Sequence, residues 1–194
     1  YIYENSIGGI DSNTTQDVIG IGVGVLSISN DVIAGNNVTN AEVYRNKIHG
    51  IQQTNGRSAA GIAMVASAAI YNNMVSGVIS NASGNEIVAG SYSDGNSTNQ
   101  NPSFALALGD SPKISVRDNI LYTGQTSGGG ANALSYAIGT RFGGSYNPNS
   151  FNYNDFWSSG ANDGGFRRGS LGAFGTVYTN LFDWQMSTSQ DLNS

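Results

Sequence analysis

Arg45, Lys47 and His49 stand at alternate positions in the densest basic stretch of the chain, with Glu42 and Arg57 nearby. Alternate side chains of a strand share one face. Lys47 and His49 can therefore project together and, with Arg45, bind an anionic sugar. The plainer reading is a solvated outer wall, where long side chains cover strand edges. His49 is the only His and Cys is absent, so no His-based or thiolate metal site is expected, and no cofactor. A lone His with no spare also makes a weak catalytic triad.

A second group is aromatic, and a repeat places it. The pattern apolar-x-x-Asn-x-apolar occurs six times, from Ile2 to Ile7, Val43 to Ile48, Ile70 to Val75, Val116 to Leu121, Phe151 to Phe156 and Val177 to Phe182. Its fixed residues are Asn5, Asn46, Asn73, Asn119, Asn154 and Asn180. Tyr3, Tyr44, Tyr71 and Tyr178 share the position after the first apolar residue. If that apolar residue faces a core, the tyrosines face outward. On neighbouring strands about 4.8 Å apart, Tyr44 and Tyr71 can stack, with Arg117 next in the column. Such a column is either a platform for sugar rings or a ladder that stiffens the wall.

The elements that position these residues follow from the same pattern. Two apolar residues five apart lie on opposite faces of a straight strand, so a shared core requires a bend between them. Asn tolerates the left-handed conformation of such a corner, and stacked Asn amides can form a hydrogen-bonded ladder. The unit reads as strand, Asn corner, strand. Strand-like runs precede most copies, at Gly20–Val25, Gly61–Val65, Phe104–Leu108 and Leu134–Ile138. Their interleaved small residues suit an outer face that is closely approached. Successive Asn anchors lie 41, 27, 46, 35 and 26 residues apart. The two shortest intervals suit one bare three-stranded coil. The excess elsewhere is expected as loops at 26–42, 79–103 and 122–132, rich in Asn, Ser, Gly and Thr. Helical periodicity is almost absent.

Composition narrows the classes. A self-similar unit across 194 residues predicts one repeat domain over 1–194. Charged residues make up only 11% and hydrophobic ones 39%, and the regular apolar positions argue against disorder. A net charge of −5 with no basic stripe disfavours a nucleic-acid partner. No apolar run approaches the roughly 18–20 residues of a membrane span. Gly128–Gly130 and Gly143–Gly144 lack the context of phosphate loops.

The unit resembles the repeat of right-handed parallel β-helix proteins, whose coils carry an Asn at a corner before an apolar strand. Residues 43–78 match it best, and the resemblance spans essentially the whole chain. The expected fold is thus all-β, a right-handed parallel β-helix of about six coils with loop insertions, both ends cut through the stack. The stretch Asn152–Phe156, followed by Trp184–Ser194, is similar to late coils of secreted β-helix proteins from Bacteroidetes-type bacteria. That likeness implies an extracellular or cell-surface protein, part of a longer parent chain that is itself a partner of this segment.

The fold hosts lyases, hydrolases, adhesins and stalks, so it does not decide the activity. Lyases of the fold combine calcium-binding carboxylates with an Arg or Lys base, but Lys47 and Lys113 are the only lysines and no Asp cluster is evident. Hydrolases of the fold need Asp residues close together; Asp110 with Asp118, or Asp155 with Asp163, are the available pairs. The leading expectation is a structural or adhesive module that binds a polysaccharide or cell-surface glycan without catalysis of its own. Its rival is the scaffold of a polysaccharide lyase or glycoside hydrolase. The aromatic-rich C-terminal third, with Tyr153, Trp157 and Trp184, is either a heavier core or a ligand groove.

Overall fold

A computed structural model describes residues 1–12, 14, 16–24, 28, 38–53, 58–64, 66–71, 74–80, 103–109, 114–125, 135–148, 150–160, 163–171 and 175–194. Asn73 and Asp110 lie outside the described residues, as does most of the expected loop segments.

The strands come in sets of three. The first set is β1 (Ile2–Tyr3), β2 (Ser6–Ser12) and β3 (Val18–Val23). The second is β4 (Val38–Tyr44), β5 (Lys47–Gln53) and β6 (Ala59–Met64), and the third β7 (Ala66–Tyr71), β8 (Met74–Ser80) and β9 (Ser103–Leu108). Then come β10 (Ile114–Arg117), β11 (Ile120–Gln125) and β12 (Ser135–Thr140), and finally β13 (Phe151–Asn152), β14 (Asp155–Gly160) and β15 (Asp163–Arg168). The short strand β16 (Thr176–Tyr178) and the helix α1 (Leu181–Thr188) follow. Among the described residues the protein is therefore all-β apart from one short helix. Each set gives one strand to each of three sheets: β1-β4-β7-β10-β13, β2-β5-β8-β11-β14, and β3-β6-β9-β12-β15 with β16 at its edge. Pairing is parallel throughout, except that β16 runs antiparallel to β15.

Register aligns the repeat with itself. Ile2, Val43, Ile70, Val116 and Phe151 face one another across the first sheet. Ile7, Ile48, Val75, Leu121 and Phe156 do so across the second. Val43 and Ile48 are both fully buried although five residues apart, as are Val116 and Leu121. The bend between them is thus real, but Asn does not make it. The left-handed residue is the one before, Glu4, Arg45, Asp118 or Tyr153, each with φ of 54–57°. Asn follows with its amide turned inward. Asn5 donates its backbone N–H and its Nδ2 to Asn46 Oδ1, at 3.1 and 2.9 Å. Asn119 does the same to Asn154 Oδ1, at 3.1 and 3.0 Å. The Nδ2 groups of Asn46 and Asn154 bond the carbonyls of Ile2 and Val116. Strand pairing lapses at a corner, and the amide supplies the donor and acceptor that the backbone there needs.

Asn180 departs from this pattern. It opens α1 instead of a strand, accepting the Asp183 N–H at 2.9 Å and donating to the Asp183 carboxylate at 2.8 Å. An Asn cap with an acidic residue three positions on is a helix-start signal that outweighs the strand pattern here. Four loop boundaries also move: residues 38–42 belong to β4, 79–80 to β8, 103 to β9 and 122–125 to β11.

One core cluster draws on all three sheets and includes Ile48, Ile62, Leu106, Leu121, Ile138 and Phe151. A second lies on the other face of the third sheet, where Ala60, Ala63, Phe104, Ala107 and Tyr136 are covered by Ile28 and Leu171. Both faces of that sheet are buried, which explains its small interleaved residues. A backbone irregularity serves the first cluster. Gly50 has φ of +59° and packs against Gly9, at +67°, so Ile48 and Ile51, three residues apart, both point inward. Gly50→Ala is expected to cost about 1–2 kcal/mol, the steric cost of a left-handed non-Gly residue. The urea midpoint should fall accordingly, while Gly22→Ala, whose nearest neighbour would be Ile19 at 3.6 Å, leaves it in place.

The last set does not end in an open cut. Trp184 on α1 is fully buried, stacked on Phe166 with centroids 5.4 Å apart and edge-on to Phe151 at 6.0 Å. Asp191, also fully buried, takes the next place in the Asn ladder by accepting Asn154 Nδ2 at 2.9 Å. Helix, antiparallel strand and tail together cover this end of the core.

Candidate functional site

The structure separates the residues that sequence reasoning grouped. Tyr44, Tyr71 and Arg117 do occupy one column of the first sheet, in line with Tyr3 and Asn152. Tyr3 and Tyr44 stack nearly parallel, with centroids 5.1 Å apart and planes 5° apart. One face of each ring is thus covered by the other along the column, and a sugar stacks on faces. The Arg45 guanidinium sits 5.3 Å from the Tyr44 centroid and 2.5 Å from the Glu4 carboxylate. Both charges are more than half exposed, so the pair contributes little to stability. The side chain of Tyr71 is not among those described. This column reads as a self-supporting ladder.

Lys47 and His49 belong to the second sheet. Their side chains are exposed while Ile48 between them is buried, so they project from its outer face. The His49 ring lies directly over Gly8, where an added Cβ would fall 2.2 Å from His49 Cε1. The absence of a side chain at Gly8 lets the imidazole lie flat on the sheet.

At the other end of this same face is a feature that sequence reasoning left undecided. β14 alternates exposed Asp155, inward Phe156 and exposed Trp157. Trp157 is 63% exposed, an unusual state for so large an apolar side chain. Its register partner on β11 is Tyr122, with ring centroids 6.4 Å apart and planes at 48°. Beside the indole opens a cleft of about 280 Å³, lined by Asp155, Trp157, Ser158, Thr179, Asn180 and Ser194. Hydroxyls, the Asn154 and Asn180 amides and one carboxylate share this lining with apolar residues, Ala137 and Leu181 among them. The cleft floor includes Phe156 and Phe166, which pack edge-to-face at 5.0 Å. The i, i+2 spacing of Asp155 and Trp157 was the available signal, since it puts both on the face opposite Phe156.

Arg167 and Asp118 serve the fold. Arg167 is 2% exposed, donates to Tyr136 Oη at 2.8 Å and to the Ser170 carbonyl at 3.1 Å, and so offers no open cation. Burial, only partly opposed by Arg167, pushes the Tyr136 hydroxyl up to about 12, so it stays protonated. Asp118 forms an exposed corner, and the side chain of Asp163 lies outside those described. Among the described residues no three His, Cys, Asp or Glu side chains are grouped to hold a metal ion. None of the described helices is long and apolar enough to cross a membrane.

No protein-family model, curated protein or solved structure matches the chain.

Proposed function

We propose that the chain is an extracellular, non-catalytic carbohydrate-binding module, and that its three sheets are the walls of a right-handed parallel β-helix. The single observation behind the binding reading is Trp157, two-thirds exposed beside Tyr122 and at the border of a cleft of mixed polar and apolar lining. An exposed indole bordered by hydroxyls, an amide and a carboxylate suits a pyranose ring, which has apolar C–H faces and a polar rim. Asp155 is the one acidic side chain among the described lining residues. Glycosidic hydrolysis by the usual route takes two carboxylates, which favours binding over cleavage. The β-helix reading rests on the strict rotation of strands among three sheets and on the Asn ladder between the first two.

Trp157→Ala is expected to weaken glycan retention by about 2 kcal/mol, roughly thirtyfold, as removal of a central aromatic anchor does. A glycan array with the natural chain, Trp157→Ala and Tyr44→Ala measures this directly. Tyr44→Ala should bind like the natural chain, because its ring faces the column. Equal binding by the Trp157 variant, or new reducing ends from a polysaccharide panel, overturns the proposal.

A further inference from the structure

The site at Trp157 is one end of a longer strip. Across the second sheet, Lys47, Met74, Ile120 and Asp155 are in register on β5, β8, β11 and β14. Beside them runs a column that starts at His49 and Ser76 and ends at Tyr122 and Trp157, with the register shifting where β8 meets β11. Lys47, His49, Ile120, Asp155 and Trp157 are exposed, with the buried residues Ile48 and Leu121 between them. The strip is apolar and aromatic toward β11 and β14, and it carries a cation at the β5 end and a carboxylate at the β14 end.

Resting on the carbohydrate reading above, we infer that this outer face binds an extended, neutral 1,4-linked β-pyranose chain lying across the strands, with about one ring per strand from β14 to β5. The strand spacing of about 4.8 Å is close to the advance of one residue in such a chain, so rings and strands stay in step. Trp157 and Tyr122 lie under the first rings. Ile120, 45% exposed and on β11 like Tyr122, meets the C–H face of that second ring. Lys47 then donates to a hydroxyl about 14 Å from Asp155, three strand steps away, and the His49 ring, lying over Gly8 of β2, borders that end of the strip. Asp155 accepts hydroxyls and repels a carboxylate, and the net charge of −5 opposes polyanions generally. The bound glycan is therefore neutral. Four strands take four rings.

Calorimetric titration with cello-oligosaccharides of two to six residues, and with β-1,4-linked glucuronic acid oligomers of the same lengths, tests this. Affinity for the neutral series should rise from two residues to four and then level. Lys47→Ala should lower the tetramer's affinity about threefold, as loss of an exposed charged donor does, and should move the plateau to three residues. The acidic series should bind more weakly at every length. A plateau already at two residues overturns the inference, and so does tighter binding of the acidic series. Retention of an array glycan through Trp157, with no cello-oligosaccharide bound, overturns the inference alone. Failure to bind any glycan overturns the carbohydrate reading as well.

Discussion

Trp184→Ala is expected to remove about 3–5 kcal/mol of stability, the usual cost of deleting a buried Trp side chain. That is a large share of the 5–15 kcal/mol that holds a typical domain together. The indole is fully buried and touches the rings of Phe151, Phe166 and Tyr178. Its Nε1–H is the donor that satisfies Asp191 Oδ2, at 2.9 Å. Alanine leaves a cavity at the end of the core and a buried carboxylate oxygen without its partner. The damage should be graded along the chain, because each strand set pairs only with its neighbours. Amide exchange should accelerate through 176–194 and into β13–β15, while β5 and β6 keep their protection. The cleft fails with the cap, since Thr179, Asn180 and Ser194 line it. A midpoint shift worth less than about 1 kcal/mol, or exchange that rises evenly over the chain, contradicts this picture.

The same residues show what the sequence made legible. The odd spacing of Val43 and Ile48 predicted a bend, and both are buried on either side of one. The ladder of amides was foreseeable because the Asn positions repeat in register. Which residue adopts the left-handed conformation was not. Asn has the intrinsic preference, but at Arg45 and Tyr153 the need to point the next amide inward outweighs it. Asn180 misled because its apolar neighbours match the strand pattern while Asp183, three residues on, marks a helix cap. The short strand β16 holds Val177 and Tyr178 of the sixth copy, but nothing in that pattern marked it as antiparallel. For the candidate site, Lys47 and His49 were correctly read as sharing a face. The partners they share it with were invisible, since Ile120 and Asp155 reach that face only through the register of four strands. Tyr44 was placed by its repeat position, whereas Trp157, which does not repeat, was left undecided between core and ligand groove. Repetition along a stack marks what builds the wall; a ligand contact can occur in one copy.

Asp191 is expected to reverse the acid response of a salt-bridged carboxylate. Its side chain is fully buried and accepts Asn154 Nδ2 at 2.9 Å, Ser194 Oγ at 3.0 Å and Trp184 Nε1 at 2.9 Å. Burial raises its pKa above the ordinary 3.8, and these three hydrogen bonds pull it back only in part. The acid form fits the same place, because the Ser194 hydroxyl can turn from donor to acceptor for a proton on Oδ1. In the window that opens near pH 3.8 and closes at the raised folded value, the folded chain keeps a proton that the unfolded chain has released. Its contribution is therefore complete below that window and is lost as the pH climbs through it. A salt-bridged carboxylate behaves in the opposite sense. Asp191→Asn removes the titration but sets an amide N–H against either Trp184 Nε1 or Asn154 Nδ2, at a cost of about 1–3 kcal/mol. Below the window the variant should therefore be the less stable by about that amount. As pH rises the natural chain must carry a buried charge that the variant lacks, so the gap should narrow. Urea midpoints for both proteins across the acid range measure it. A gap that widens with pH contradicts the argument, and would mean that the three hydrogen bonds outweigh the burial of the charge.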